Sequence, residues 1–402
     1  PVHQRQQLRD DRDGQFRRGL AGDARQTDRA GQAGQCRAEI HSAHLFLGRV
    51  EMQRDRIGDE GAEWLLTKTI EAGRSSGVVN DDSLSRVSVD TTVMEKNIAY
   101  PTDARLYEKA RTKIVALAQE AGVQLRQTYA RKAPLLAAQV GRYAHARQFK
   151  RMRKALRTLK GYTGRVMRDL RRQIDLIPAG AFRETVLDTL VLVSRLLHQP
   201  KKGGGKIYAL HEPDVDCISK GKARVRYEFG TKVSITTTID EGFVVGMRAL
   251  PGNPYDGHTL AEALEQVEIL TDQRPALAVV DRGYRGHGVE TTQVLISGAK
   301  RGLTPALKKL LRRRSAIEPE IGHMKTDGRL ARCPLKGLRG DAIFAVLCGC
   351  GHNLRKILRH LRSLLVYLLT AVLNAIQNAP AKAAPNQPRY IPRMAQGNRV
   401  WR

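Results

Sequence analysis

A strand with one polar face is predicted for residues 86–93. Valine and threonine alternate there with Ser88, Asp90 and Thr92, and this period of two is typical of a half-buried strand. Asp90 is therefore expected to project from the polar face of the strand.

A second strand is predicted to end at an aspartate. Residues 277–280 are continuously apolar, and Asp281 follows them at the start of a glycine-containing turn. This pattern is typical of a buried strand with an acid at its carboxyl end, where open α/β sheets bind ligands. Taken alone, each aspartate is better explained as a turn or cap residue.

The remaining patterns predict a mixed α/β sheet with helices packed on it. Two strand-like segments form a hairpin around an acidic turn at residues 240–242, and a capping box at Thr259 and Glu262 opens a helix. A further strand precedes the helix that contains Glu318. The predicted segments are 224–233, 234–247, 263–270 and 292–296.

Residues 103–202 are predicted to be helical and to lie outside the sheet. They are rich in alanine, leucine, arginine and lysine with helical spacing. From residue 142 to 172 there are 12 lysines or arginines and one acid, Asp169. A solvated helix face normally mixes signs, so this block indicates contact with phosphates. The candidate phosphate-binding residues are Arg151, Arg153, Lys154 and Arg157.

Residues 314–325 carry two cations and a carboxylate at helical spacing. On an α-helix, Arg314, Glu318 and Lys325 project within roughly 40° of one another. Glu320 is a rival carboxylate, but two residues along a helix turn it by about 200°, away from Glu318. The stripe suits phosphate chemistry, although Arg314 and Glu318 are also an ordinary i,i+4 salt-bridge pair.

Charge and composition narrow the class of partner. The 402 residues carry a net charge of +29, which indicates a polyanionic partner such as DNA. The apolar run at 364–373 is shorter than the roughly 20 residues that span a bilayer, so no membrane partner is expected. Five scattered cysteines and no signal segment favour the cytoplasm. A zinc site at Cys348, Cys350 and His352 is not expected, because helix residues two apart diverge.

Six segments between residue 86 and about residue 360 resemble bacterial insertion-sequence transposases of the DDE type, in the insertion-sequence family five group. They are 89–103, 208–222, 227–232, 252–260, 281–286 and 314–353. The family's last motif is matched by Arg314, Glu318 and Lys325, but Leu311 stands at its tyrosine position. In the family the tyrosine would contact the DNA backbone or stack on a ring, and Leu311 cannot be expected to make the same contact.

The resemblance implies a chemistry and a set of site residues. The implied catalytic triad is Asp90, Asp281 and Glu318, which would bind two Mg²⁺ or Mn²⁺ ions. With these ions the enzyme would cleave DNA and join the cut end to a target. Arg314 and Lys325 become phosphate ligands. The implied partners are transposon-end and target DNA and a second subunit, in the bacterial nucleoid.

The resemblance also implies a ribonuclease H-like mixed sheet. Composition and spacing add the expectation of an all-helical insertion after its first strand and of poorly ordered termini. The expected divisions are a disordered or aberrant segment at 1–55, a helix and first strand at 56–102, a basic helical insertion at 103–202, the rest of the core at 203–360, a helix at 361–377 and a basic tail at 378–402.

Two other functions are compatible with the same residues. A hydrolytic nuclease of this fold would cut DNA and never join ends. A catalytically inert remnant would bind DNA in a salt-sensitive way with no metal-dependent cleavage.

Overall fold

The chain folds as a mixed α/β protein, as its hydrophobic pattern predicts. This computed structural model describes residues 56–200, 203–219, 226–298 and 304–377, with side chains up to residue 374. The predictions for residues 1–55 and 378–402 lie outside the described residues.

The described residues form one sheet of seven strands. The strands are β1 (Arg86–Lys96), β2 (Asp216–Ile218), β3 (Glu228–Thr238), β4 (Val244–Leu250), β5 (Leu277–Val280), β6 (Gln293–Ile296) and β7 (Arg332–Cys333). β1 pairs antiparallel with β3 on one side and parallel with β5 on the other. β4 extends the sheet beyond β3, and β6 extends it beyond β5. The short strands β2 and β7 pair with β3 and β1.

The hairpin is confirmed at its turn, but the predicted strand division at residues 233 and 234 is wrong. β3 runs without a break from Glu228 to Thr238, and β4 begins at Val244. Nearly every residue of β3 is buried, because both faces of this strand are covered, so alternation could not mark its ends. At Gly230 a Cβ atom would collide with the Met94 backbone, so the close approach of β1 and β3 needs glycine there.

Ten helices occur among the described residues. They are α1 (56–75), α2 (Asp81–Leu84), α3 (Asp103–Glu120), α4 (Lys132–His145), α5 (Phe149–Arg172), α6 (Ala181–His198), α7 (Asp256–Thr271), α8 (Pro305–Arg313), α9 (Ile317–Thr326) and α10 (Gly337–Gln377).

Helices α3 to α6 lie between β1 and β2 in the chain, as the composition of this region predicts. They share a hydrophobic core that is separate from the core of the sheet. Ile114, Leu159, Leu170 and Leu196 are fully buried in it. Fully buried aliphatic side chains each contribute roughly 1.5–3 kcal/mol, so this group of helices has its own source of stability.

Two helix boundaries differ from those expected. α7 begins at Asp256, and Thr259 donates to the Asp256 carbonyl inside the helix, so it is not an N-cap. α10 is one continuous helix, so the expected division at residues 360 and 361 falls inside it. Neither glycine nor proline interrupts α10 in that region, so a regular helix continues through it.

Helices α1, α7 and α10 pack on the sheet. The fully buried Asn353 of α10 accepts from the Val244 amide and donates to the Val244 carbonyl, both at 2.8 Å. It also donates to Thr69 of α1 at 3.1 Å. One side chain therefore links two helices to the β4 edge and satisfies its own buried polar groups.

Candidate active site

Asp90 and Asp281 lie at the same level of two adjacent parallel strands. Ser88 of β1 pairs with Val279 of β5, and each aspartate stands two residues further along the chain. Residues two apart lie on the same face of a strand, so the pairing of β1 with β5 brings the two carboxylates to one place.

Arg314 lies between the three acids predicted to form the catalytic triad. Its Nη2 is 3.1 Å from Asp90 and 3.9 Å from Asp281, and its Nη1 is 3.6 Å from Glu318. The exposed fraction of the side chain rises from 14% for Arg314 and 16% for Asp90 to 39% for Asp281 and 66% for Glu318. The acids thus form a half-open cluster whose buried end is neutralised by one guanidinium.

The donor set suits a hard divalent cation, because carboxylate oxygens are the preferred ligands of Mg²⁺ and Mn²⁺. Within the described ranges, however, no three His, Cys, Asp or Glu side chains are grouped closely enough to hold a metal ion. Arg314 contacts each acid of the triad. Binding of a cation by Asp90, Asp281 and Glu318 therefore requires the guanidinium to move.

The prediction that Arg314 lies on the same α-helix as Glu318 is wrong. Residues Arg314–Ala316 form a 3₁₀ turn, and α9 begins at Ile317. Pro319 explains the break, because proline has no amide to donate and its ring clashes with the carbonyl four residues earlier, at Ser315. Lys325 lies in the last turn of α9, about 10 Å along the helix axis from Glu318.

Asp256 is a fourth acid at this site, which the sequence pattern did not single out. It accepts hydrogen bonds from Lys232 at 3.0 Å and Thr91 at 3.2 Å. A Cβ atom on Gly283 would lie 3.2 Å from Asp256 and 2.9 Å from Asp281, so glycine lets the backbone fit against both carboxylates. An acid in the first turn of a helix is common, and this is why the pattern alone gave no signal.

Tyr284 lies beneath the acids. Its side chain is fully buried, and its hydroxyl has no hydrogen-bond partner within the described part of the chain. Burial raises the pKa of Tyr284 well above its ordinary value, and the charges of Asp256, Asp90 and Asp281 raise it further, against the opposing charge of Arg314. The phenol is therefore neutral and can only donate toward the carboxylates.

Glu320 faces away from the site, as its helical position predicts. Its carboxylate contacts Lys356 at 2.8 Å and His352 at 3.2 Å, both on α10. Burial raises the pKa of Glu320, but hydrogen bonds and charge from His352 and Lys356 outweigh it, so the net pKa lies below the ordinary value. A Cβ atom on Gly242, which has a φ of 62°, would lie 2.6 Å from this carboxylate. Glu320 thus joins α9, α10 and the β3–β4 turn.

Cys348, Cys350 and His352 contact different parts of the protein. The Cys348 thiol donates to the Gly328 carbonyl, whereas His352 Nε2 lies 3.1 Å from the Gly242 carbonyl. Burial raises the pKa of Cys348 to about 12 and that of Cys350 to about 11. Both thiols are therefore neutral at physiological pH.

The basic residues of α5 are on its solvent face. Arg151, Arg153, Lys154 and Arg157 are all exposed. The Arg153 guanidinium donates to the Phe149 carbonyl of its own helix at 3.2 Å. These side chains give α5 a long, cationic, solvent-exposed face.

A groove of about 490 Å³ separates α5 from the end of the sheet. Arg153, Arg157 and Lys206 line it together with the aromatic rings of Tyr208 and Phe229. Phe229 stands six residues along β3 from Ile235, the partner of Asp90, which corresponds to about 20 Å of strand. The groove is therefore separate from the acids.

Comparison with known proteins gives one partial relative. A protein of Rhizobium meliloti named "Uncharacterized protein ORF8 in nfe locus" is 47% identical over 109 residues, which are 27% of this chain and 53% of the relative. The chain thus spans about half the length of the curated relative that it matches. No protein-family model matches the chain, and no solved structure matches it.

Proposed function

We propose that this protein is a DNA transposase of the DDE type, which cleaves a DNA strand and joins its end to a target with the help of divalent cations. One observation carries the proposal. Asp90, Asp281 and Glu318 come from three distant segments of the chain, yet all three carboxylates contact Arg314.

The element order supports the same class. Along the chain, a strand that carries the first acid is followed by a group of helices and an antiparallel hairpin. A parallel strand that precedes the second acid comes later, and a helix with the third acid follows it. This is the order that a ribonuclease H-like core with a helical insertion after its first strand would have.

The acids would supply the ligands for the reaction. Asp90, Asp281 and Glu318 would hold Mg²⁺ or Mn²⁺, with Asp256 beside them, and such ions activate the attacking oxygen and stabilise the leaving oxygen in phosphoryl transfer. Arg314 would release the carboxylates and turn to the phosphate, for which its planar guanidinium is well suited.

The exposed cations would hold the nucleic acid. The solvent face of α5 would follow the phosphate backbone, and the groove beside Tyr208 and Phe229 would bind the same molecule at a distance from the acids. The net charge of +29 would favour rapid, salt-sensitive association.

An inert DNA-binding remnant is the second candidate, and a specific contact favours it. The guanidinium of Arg314 contacts Asp90 and Asp281, where a metal-dependent enzyme would bind its metal ion. A protein that kept this arrangement when bound to DNA would have no catalytic centre.

The test is plasmid nicking in the presence of Mg²⁺ or Mn²⁺. We expect the wild-type protein to nick supercoiled DNA and Glu318→Gln to bind DNA without nicking it. Glu262→Gln is the matched control, because Glu262 is an exposed carboxylate that pairs with Arg248 on the surface. Equal nicking by wild type and Glu318→Gln would refute the assignment of the triad.

A second assay separates the three candidates. A labelled DNA end with a free 3′-hydroxyl is offered together with the plasmid. Joined product supports a transposase, cleavage without joining supports a hydrolytic nuclease, and salt-sensitive binding without cleavage supports the inert remnant.

A further inference from the structure

The second half of α10 extends beyond the body of the protein. The first half of the helix packs against β4, and Ile357 is its last buried residue. From Leu358 to Asn374 every residue is exposed. An exposed helix is normally polar around most of its surface, but this one is rich in leucine and valine, so we expect another surface to cover it.

Six of the exposed apolar residues of α10 follow a heptad repeat. Successive positions are separated by four, three, four, three and four residues, and their exposed fractions are between 43% and 65%. The six residues are Leu354, Leu358, Leu361, Leu365, Leu368 and Val372. This spacing is that of the a and d positions of a coiled coil, in which the side chains of one helix fill the gaps of an equivalent helix. We call these six residues the α10 seam.

The α10 seam fits a second helix better than a membrane. By length and composition alone, the helix from Gly337 to Asn374 could cross a bilayer. The uncharged part of α10, however, is residues 363–377, which is about 22 Å of helix against about 30 Å of hydrocarbon. Arg359 and Arg362 lie beside the seam on the exposed helix.

We infer that the α10 seam pairs with the same seam of a second copy of this chain, as a parallel two-stranded coiled coil. The inference does not depend on the proposed function. In this arrangement Arg362 lies at an e position, opposite Ile357 at a g position of the second copy, and Leu369 lies opposite Leu364 in the same way. No like charges meet, and the aliphatic part of Arg362 covers the seam.

The size of the contact agrees with a dimer that dissociates on dilution. The leucine and valine side chains of the two seams, with Leu364 and Leu369 beside them, are about half exposed. Covering their remaining apolar surface would bury on the order of 1,000 Å². Specific interfaces begin near that area. We therefore expect a reversible dimer rather than a permanent one.

The test is the molar mass of the full chain in a dilution series, measured by sedimentation. We expect the wild type to have twice the mass of one chain at high concentration and Leu361→Lys/Leu365→Lys to halve it. Val366→Lys/Tyr367→Lys is the matched control, because these side chains are 55% and 71% exposed, against 43% and 57% for Leu361 and Leu365, but lie outside the seam. We expect this control to remain dimeric.

Since the substituted side chains do not contact the core, all variants should keep the far-ultraviolet circular dichroism of the wild type. A wild type that is monomeric throughout would overturn the inference, as would equal loss of mass in both double variants. For orientation, Leu361→Cys should form a disulfide between copies on mild oxidation and Tyr367→Cys should not. Failure of Leu361→Cys to cross-link would overturn the parallel arrangement.

Discussion

The guanidinium of Arg314 lies 3.1 Å from the carboxylate of Asp90, and both side chains are largely buried. The same guanidinium contacts Asp281 and Glu318 more loosely. Because a buried charge is costly without a partner, Arg314 makes it possible for three carboxylates to gather at the end of one sheet. Its removal should change both the stability of the protein and its affinity for cations.

Arg314→Gln should make stability depend on divalent cations. Without the guanidinium the carboxylates repel one another, and we expect a loss of about 2–4 kcal/mol in the free energy of unfolding in a chelating buffer. Mn²⁺ should recover much of that loss, because a cation bound by the native state stabilises it. Urea unfolding with and without Mn²⁺ measures both effects.

The control for Arg314→Gln is Arg313→Gln. Arg313 is about half exposed and pairs with Asp240 on the surface, so its loss should cost less than about 1 kcal/mol whether or not Mn²⁺ is present. If Mn²⁺ stabilises both variants equally, the acids do not form a cation site.

Glu320→Gln should destabilise the protein at neutral pH, although it lies outside the acid cluster. The change removes the charge that pairs with Lys356 and His352 in a largely buried position, and we expect a cost of about 1–3 kcal/mol. Glu318→Gln, at a carboxylate that is 66% exposed, should change the free energy of unfolding by less than about 0.5 kcal/mol. Equal stability of the two variants in urea would contradict this difference.

The effect of Glu320→Gln should also depend on pH. The pKa of Glu320 in the folded protein lies below its ordinary value of 4.5. The stabilisation by this carboxylate is therefore complete above that value and disappears as the pH falls through the lower folded pKa. Unfolding of wild type and variant between neutral and acidic pH should give two curves that converge at low pH. A constant separation would mean that the charge of Glu320 is irrelevant.

Features that depend on a local pattern of residues could be predicted from the sequence. Asp90 and Asp281 could be found because alternation and a continuous apolar run mark their strands, and the helices after β1 follow from spacing and composition. The central position of Arg314 could not be found in this way, because it requires β1, β5 and the turn before α9 to meet. Pro319 was visible in the sequence and would have corrected the expected helix.

Other features were hidden for different reasons. Asp256 resembles an ordinary acid at the start of a helix, and only the packing of α7 against β1 and β3 brings it to the other acids. Glu320 is largely buried because α9 packs against α10, where its partners His352 and Lys356 lie. Those partners are more than 30 residues away in the sequence, so a local pattern cannot reveal them. A continuous α10 was obscured by its change from a buried to an exposed environment after Ile357.

Lys96→Met should be strongly destabilising. Lys96 pairs with Asp341 at 2.7 Å and Glu212 at 3.0 Å, and all three side chains are almost fully buried. Burial lowers the pKa of Lys96, but its contact with Asp341 outweighs this and the net pKa is raised. Loss of the ammonium removes the positive charge that pairs with two buried carboxylates, at a cost of about 3–5 kcal/mol in the free energy of unfolding.

Lys68→Met is the control for the buried ion group, because Lys68 pairs with Glu71 at the surface with both side chains about half exposed. That change should cost less than about 0.5 kcal/mol. Lys96→Met/Glu212→Gln/Asp341→Asn should be more stable than Lys96→Met alone, because it also removes the unpaired charges. A triple variant that is less stable than Lys96→Met would show that the cost has another origin.

Tyr284→Phe should leave the protein as stable as the wild type or make it more stable by up to about 1 kcal/mol, because a buried hydroxyl without a partner contributes only its desolvation cost. Thr231→Val is the control, since Thr231 is equally buried but donates to Asp341 at 2.6 Å, and its loss should cost about 1–3 kcal/mol. Urea unfolding of the two variants compares them directly. A loss for Tyr284→Phe as large as that for Thr231→Val would mean that the phenol donates to an acid of the cluster in solution.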